Sequence, residues 1–156
     1  MVRQKTLVHS MTQQAIPSDE TPVTPFLNAL TVDVEDWYHS ILDIEPTDWD
    51  QYEDRVEPAT DALLQYLSDY SARATFFVLG HVAETHPGLV PRIAAAGHEI
   101  ACHGYAHRLV YKLTPDEFRT DLRRSLDILR SQTDQPIRGY RAAYWSITRE
   151  CPWALD

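Results

Sequence analysis

His103 and His107, in the run His103-Gly104-Tyr105-Ala106-His107, have the i, i+4 spacing that puts two imidazoles on one face of a helical turn, an arrangement suited to a divalent metal. Such a pair also occurs as a surface pair capping a turn. A carboxylate from elsewhere in the chain would complete a set of two histidines and one acid that leaves coordination positions open for water and substrate. Open positions mean catalysis rather than structure. Three acids qualify by placement, Asp33, Glu35 and Asp36, and a further polar group, Arg141 and Tyr144, stands in Arg141-Ala142-Ala143-Tyr144.

The elements that must position these residues can be read from periodicity. Leu30 to Val34 is a short β-branched run that stops in a cluster of acids, which predicts a strand. Asp33 to Glu57 holds ten acidic residues and one basic residue, Arg55, interleaved with Trp37, Tyr38, Trp49 and Tyr52. This stretch reads as a structured surface loop, either solvated charge over buried aromatics or a metal or sugar site. Pro58 opens a helix with Ala62, Leu63, Tyr66, Leu67 and Tyr70 on one apolar face. Ala74 to Leu79 reads as a strand buried on both faces, Pro87 to Ala96 as a helix stopped by Gly97, and His98 to Cys102 as a third strand.

Thr114-Pro115-Asp116-Glu117 is a capping box with proline at the first helical position, and Phe118, Leu122, Leu126 and Leu129 continue that helix at helical spacing. Ile137 to Arg141 reads as a fourth strand, and Pro152 to Asp156 as the beginning of another helix. Strands alternating with helices predict an α/β fold with a parallel sheet and right-handed crossovers, open or barrel-like. In both forms chemistry sits at the carboxyl ends of the strands, where all three polar clusters fall.

Four motifs, Thr31 to His39 (TVDVEDWYH), Ala74 to Gly80 (ATFFVLG), Ala96 to His107 (AGHEIACHGYAH) and Gly139 to Ile147 (GYRAAYWSI), resemble, in order, those of the polysaccharide deacetylases of carbohydrate esterase family 4, the NodB-homology domain. The form DVEDWYH is most similar to the subgroup found with exosortase and exopolysaccharide loci. The resemblance covers about residues 29–156 and implies a distorted (β/α) barrel, of which this chain offers the amino-terminal portion. It also implies metal-dependent hydrolysis of N-acetyl groups on a polysaccharide, with zinc the metal best suited to the ligands. Position by position, Asp33 matches the catalytic base, His103 and His107 the histidine ligands, Arg141 the arginine that pairs with the base, and Tyr144 the residue whose backbone N–H helps bind the oxyanion. The acid that normally follows the base directly is displaced by Val34-Glu35, which makes Asp36 the first choice for the carboxylate ligand and Glu35 the next, since Glu35 shares a strand face with Asp33.

Two departures from the family pattern stand out. Ala143 occupies a position usually held by proline, so the approach to Tyr144 is less rigid. The later family motifs, including a histidine serving as general acid, fall beyond Asp156, so the chain is expected to be part of a longer deacetylase and to have negligible activity by itself. The same superfamily resemblance admits hydrolysis of non-sugar C–N bonds, or a fragment without turnover, as alternatives.

The remaining features are plainer. Of 156 residues, 44% are hydrophobic, and 14 basic against 23 acidic side chains give a net charge of -9. With no basic stripe, nucleic acid is not an expected partner. Residues 1–28, with Pro17, Pro22 and Pro25, read as a flexible lead-in without a secretory signal, and no run is long and apolar enough to span a membrane, so a cytoplasmic location is expected. Two cysteines cannot form a disulfide framework; Cys102 reads as a small core residue and Cys151 has no partner to make it a nucleophile. His39 could approach the site without joining it, His81, His86 and His98 read as surface or capping groups, and Trp145 as groove lining or packing.

Overall fold

A computed structural model describes residues 28–156. The expected lead-in, residues 1–28, lies outside the described residues except for its last position. Strands β1 (Thr31–Val34), β2 (Thr75–Val78) and β3 (Glu99–Cys102) form a parallel sheet in the order β1-β2-β3. Helices α1 (Val56–Asp69), α2 (Gly80–Thr85), α3 (Leu89–Ala95) and α4 (Pro115–Gln132) supply the crossovers and the covering layer. The α/β class with parallel strands and intervening helices is therefore the one the sequence predicts.

The core lies between the sheet and these helices. Phe76, Val78, Leu79, Val90, Ile93, Ile100, Cys102 and Leu129 are all completely buried there. Each such large apolar side chain contributes on the order of 1.5–3 kcal/mol by leaving water. On β2 the burial alternates: Phe76 and Val78 face the helices, while Phe77 is half-buried on the other face. This corrects the expectation of a strand packed on both sides. The second face of the sheet is a rim surface, in which Asp33, Phe77 and Ala101 stand in one register row.

Helix α4 carries the predicted capping box: the Thr114 hydroxyl accepts the Glu117 N–H at 3.3 Å, and the Glu117 carboxylate accepts the Thr114 N–H at 2.8 Å. Its Phe118 and Leu129 are buried, as the spacing requires. Helix α1 differs in two respects. It starts at Val56, which puts Pro58 inside a first turn whose N–H groups have no intrahelical partners in any case. Its inward stripe runs through Val56, Thr60 and Leu67, with Leu63 and Leu64 packed beside them, so Tyr66 and Tyr70 face outward and lie against each other, ring centroids 4.8 Å apart.

The helix expected over Pro87 to Ala96 begins at Leu89 and is preceded by α2, the two separated by the His86-Pro87-Gly88 break. The expected fourth strand is reduced to one parallel bridge, Cys102 to Tyr140, in which the Cys102 N–H donates to the Gly139 carbonyl and the Arg141 N–H donates to the Cys102 carbonyl, both at 2.9 Å. Gly139 permits this approach: a Cβ there would stand 3.2 Å from the Ala101 Cβ and 3.5 Å from the Phe77 ring. Pro152–Leu155 is a single 3-10 turn in place of the expected helix start. The acidic stretch folds as two 3-10 turns, Trp37–Ser40 and Pro46–Gln51, over the buried rings of Tyr38 and Trp49. Among the described residues no helix is long and apolar enough to cross a membrane.

Candidate active site

The carboxyl end of the sheet opens into a cleft of about 610 Å³ whose walls include Asp33, Glu35, Ser40, Phe77, His103, His107, Arg141, Tyr144 and Trp145. Strand alternation sends Asp33 and Glu35 to the same side, and β3 ends directly into His103. One carboxylate oxygen of Glu35 and one ring nitrogen from each of His103 and His107 lie within 4.8 Å of one another. The Nε2 atom of His107 is 3.1 Å, and that of His103 3.7 Å, from the Glu35 Oε2 atom.

The pairing of His103 and His107 is not helical. Residues 103–107 form a non-helical arch, with Gly104 at φ 77° and His107 at φ 50°. His103 is the end of a strand, and His107 reaches the same place only through these left-handed turns. Three of the four non-glycine residues with positive φ among the described residues, His107, Tyr144 and Trp145, belong to this site. Such conformations persist only where the surroundings impose them, and they concentrate at functional sites.

The protonation of the cluster follows from its partners. The His103 Nδ1 atom lies 2.8 Å from the Arg141 carbonyl oxygen, an acceptor, so Nδ1 donates and Nε2 presents its lone pair to the cleft. Burial, reinforced by the neighbouring His103, pushes the His107 pKa down to about 4. Burial raises the pKa of Glu35, opposed by a 2.6 Å hydrogen bond that its Oε1 accepts from the Ser40 hydroxyl and by His103, and reinforced by Asp33. Glu35 Oε2 is buried without a hydrogen-bond partner. A cation placed among this carboxylate oxygen and the two imidazole nitrogens would give each of them a partner. The donor set therefore fits a divalent metal, and the site is a possible metal centre.

Asp36 does not join this cluster. It is buried, and its carboxylate caps the Trp37–Ser40 turn by accepting the Trp37 N–H at 2.9 Å, while its other oxygen accepts the Arg55 N–H at 2.5 Å. Both oxygens are thereby committed to backbone donors. Of the two acids that sequence left open, Glu35 is the one beside the histidines. The alternation that groups Asp33 with Glu35 was the available signal, as was the Asp36-to-His39 spacing: the His39 Nδ1 accepts the Asp36 N–H at 2.8 Å and closes the cap.

Asp33 and Arg141 do meet. The guanidinium donates to the Asp33 carboxylate and, at 2.8 Å, to the Thr31 hydroxyl, and lies over the Phe77 ring at 4.0 Å from its centroid. The arginine is thus fixed in plane and in direction. The Tyr144 ring packs against His107 with centroids 4.6 Å apart, its backbone at φ 50°, and Trp145 beside it is 93% exposed. Ser40 and Thr31 are site residues that sequence reasoning missed. Thr31 was legible two residues before Asp33 on the same strand face, whereas Ser40 reaches Glu35 only through the fold of the intervening turn.

Among the described residues, the histidines outside the cleft do not all lie at the surface. His98 is buried, contrary to expectation, because its ring covers Phe76 at 5.0 Å between centroids. His86 lies 2.8 Å from the Asp54 carboxylate, and the half-buried His81 packs against Trp49. Cys102 is fully buried, its thiol on the Ser125 hydroxyl at 3.3 Å, and burial pushes its pKa up, which leaves it unreactive. Cys151 is buried as well.

Comparison with known proteins adds an independent line. The family profile described as polysaccharide deacetylase matches residues 48–155. A peptidoglycan-N-acetylglucosamine deacetylase of Bacillus cereus is 34% identical over 98 residues, which are 62% of this chain and 36% of that protein. The structure of a candidate polysaccharide deacetylase from Mycobacterium smegmatis superposes with a TM-score of 0.68 at 33% identity, covering 81% of this chain and 46% of its own. A pseudoenzyme of carbohydrate esterase family 4 from Bacillus anthracis, at 22% identity and a TM-score of 0.64, shares the fold over 82% of this chain and 39% of its own. The chain thus spans less than half the length of each of these relatives. Because a pseudoenzyme shares this fold, the site residues and not the fold must carry any functional reading.

Proposed function

This chain belongs to the polysaccharide deacetylase family, and from that membership we propose that the carboxyl end of its sheet carries the metal-binding and base part of a site that hydrolyses N-acetyl groups on a polysaccharide. In that reaction water adds to the acetamide carbon, the C–N bond breaks, and acetate and a free amine leave. The observation that carries the reading is the convergence of the unpartnered Glu35 Oε2 with the imidazoles of His103 and His107, beside an Asp33 already paired with Arg141.

Glu35, His103 and His107 are the proposed metal ligands, and zinc suits one carboxylate and two imidazoles. A divalent ion held there would supply Lewis-acid activation of water and of the acetamide carbonyl. Asp33 takes the proton from the attacking water. Its pairing with Arg141 aims the carboxylate, because the guanidinium is itself held by Thr31 and Phe77. The backbone N–H of Tyr144 is proposed to donate to the developing oxyanion. The Asp33-to-His39 motif supports an N-acetylated exopolysaccharide as the natural substrate, by its likeness to deacetylases found with exosortase loci.

Metal content and turnover test the reading together. Wild-type protein, freed of loosely bound metal, is expected to hold one zinc per chain, and Glu35→Ala or His103→Ala to hold none, with Asp36→Asn keeping the metal. Equal zinc content in wild type and His103→Ala would overturn the metal centre. In the sequence extended through the later family motifs, acetate release from chitooligosaccharide that survives Asp33→Asn would remove Asp33 from its role as base.

A further inference from the structure

The arch between the two histidines has no helical hydrogen bonds to hold it, so its shape must come from outside. Two groups of α2 and one of α4 grip its carbonyls. The Gly80 N–H donates to the Gly104 carbonyl at 2.8 Å, the His81 N–H donates to the Tyr105 carbonyl at 3.1 Å, and the Ser125 hydroxyl donates to the Gly104 carbonyl at 3.0 Å. On the donor side of the arch the Gly104 N–H donates to the Cys102 Sγ at 3.4 Å. Asp121, on α4, accepts the Tyr105 N–H at 2.8 Å through Oδ2; burial raises its pKa, opposed by the Tyr105 and Ala106 N–H groups.

Asp121 is not an ordinary surface acid. It is partly buried, and the arginines flanking it are engaged elsewhere: Arg124 with Glu84 at 3.0 Å and Arg108 with Glu117 at 3.8 Å. No ion pair of Asp121 itself occurs among the described residues, so its carboxylate serves the backbone of the arch. Gly104 belongs to the same contact, since a Cβ at that position, already at φ 77°, would stand 3.2 Å from the Asp121 Oδ2.

We infer that Asp121 is a positioning residue for the metal centre: by fixing the Tyr105-Ala106 backbone from α4, it sets the separation and direction of the His103 and His107 imidazoles. The inference rests on the proposed metal-binding reading of those histidines. Asp121 touches neither metal ligand, and its action passes through the backbone between them. Partners of this kind beyond the ligands typically govern metal affinity by about 10–100-fold.

The test compares wild type with Asp121→Leu, Asp121→Asn and, as control, Thr120→Ala, whose hydroxyl bonds only to the Asp116 carbonyl on the exposed side of α4. Zinc affinity by chelator competition, the visible spectrum of the cobalt-loaded protein, and amide hydrogen exchange of the metal-free protein are measured below the melting transition of every variant. Asp121→Leu is expected to weaken zinc about 10–100-fold, to shift the cobalt spectrum, and to speed exchange at Tyr105 without affecting Leu126 in the same helix. Asp121→Asn, which keeps an oxygen in place, is expected to show a smaller loss, and Thr120→Ala none. A purely structural role would lower the melting temperature and leave zinc affinity and the cobalt spectrum unchanged, and that result overturns the inference. Should Asp121→Leu not fold, equal Tyr105 exchange in wild type and Asp121→Asn overturns it as well. Should wild type bind no metal, it is the proposed function that fails, and Tyr105 exchange alone then decides whether Asp121 holds the arch.

Discussion

At the amino ends of β2 and β3, the buried His98 accepts the Ala74 N–H through Nδ1 at 3.3 Å, its carbonyl accepts the Gln135 side-chain amide at 3.2 Å, and Arg73 donates to the Ala96 carbonyl. Five residues along, at the carboxyl end of β3, the buried His103 donates through Nδ1 to the Arg141 carbonyl and turns Nε2 toward a carboxylate oxygen that has no partner. The same side chain, equally buried, is thus in opposite tautomers at the two ends. An N–H facing Nδ1 makes it an acceptor, and a carbonyl facing it makes it a donor. One end closes its polar groups among themselves. The other leaves lone pairs converging on a common point, and that difference, rather than burial or residue type, distinguishes a histidine that supports the fold from one that can hold a metal.

The largest effect expected from this contrast is at the ligands. His103→Ala and His107→Ala should each abolish stoichiometric zinc uptake, while His98→Ala should leave uptake intact and lower the melting temperature of the metal-free protein. Zinc content after exhaustive dialysis and a thermal melt read both quantities on the same samples. Loss of zinc in His98→Ala at a temperature where that variant is folded would break the comparison. Next in size is Asp33→Asn, which removes the group proposed to take the proton. In the sequence extended through the later family motifs, turnover should fall by about 10²–10⁴-fold with zinc retained, measured as acetate release against metal content.

A third expectation concerns the wall between the two ends. A Cβ on Gly80 would stand 2.8 Å from the Ser125 Oγ, 2.9 Å from the Tyr105 Cδ2 and 3.0 Å from the Ser125 Cα. Gly80→Ala must therefore push α4 or the histidine arch aside, at a cost of about 1–3 kcal/mol in stability. If the arch is what yields, zinc affinity should fall with it. Urea unfolding followed with and without zinc separates the two contributions.

The parts that sequence made legible are those governed by local rules. The α4 capping box and its apolar stripe depend on residues three or four apart, and both formed as read. The Asp33–Arg141 pair, 108 residues apart, was readable through the family resemblance and not through any local rule. What sequence concealed depends on contacts across long separations. Asp36 stood ahead of Glu35 as the expected ligand, but the Arg55 N–H, nineteen residues away, occupies its carboxylate. The segment from Ile137 to Arg141 had a strand's composition, yet it crosses β3 at a single bridge on its way to the rim. The spacing of His103 and His107 suggested a helical turn, but the arch that joins them is shaped by α2 and α4, neither of which is adjacent to it in sequence.

The smallest effect is also the most direct reading of the amino end. Burial, and secondarily the nearby Arg73, lowers the pKa of His98 below its ordinary value. The other groups around its ring are the Phe76 side chain and the Ala74 N–H, neither of which favours a charged imidazole. A histidine with a lowered native pKa binds a proton more readily in the unfolded chain. Its contribution to stability is thus complete above the unfolded value near 6.5 and is lost as pH falls through that value toward the native one. His98→Asn can keep an acceptor for the Ala74 N–H but cannot titrate. Between pH 7.5 and 5 the stability of wild type should therefore fall more steeply than that of His98→Asn, by at most about 1.4 kcal/mol per pH unit for one proton. Urea denaturation of metal-free protein at several pH values, with the two proteins compared at each, measures the difference in slope. Parallel slopes would show that His98 is protonated equally in both states, and the contrast between the two ends of the sheet would then lose its electrostatic half.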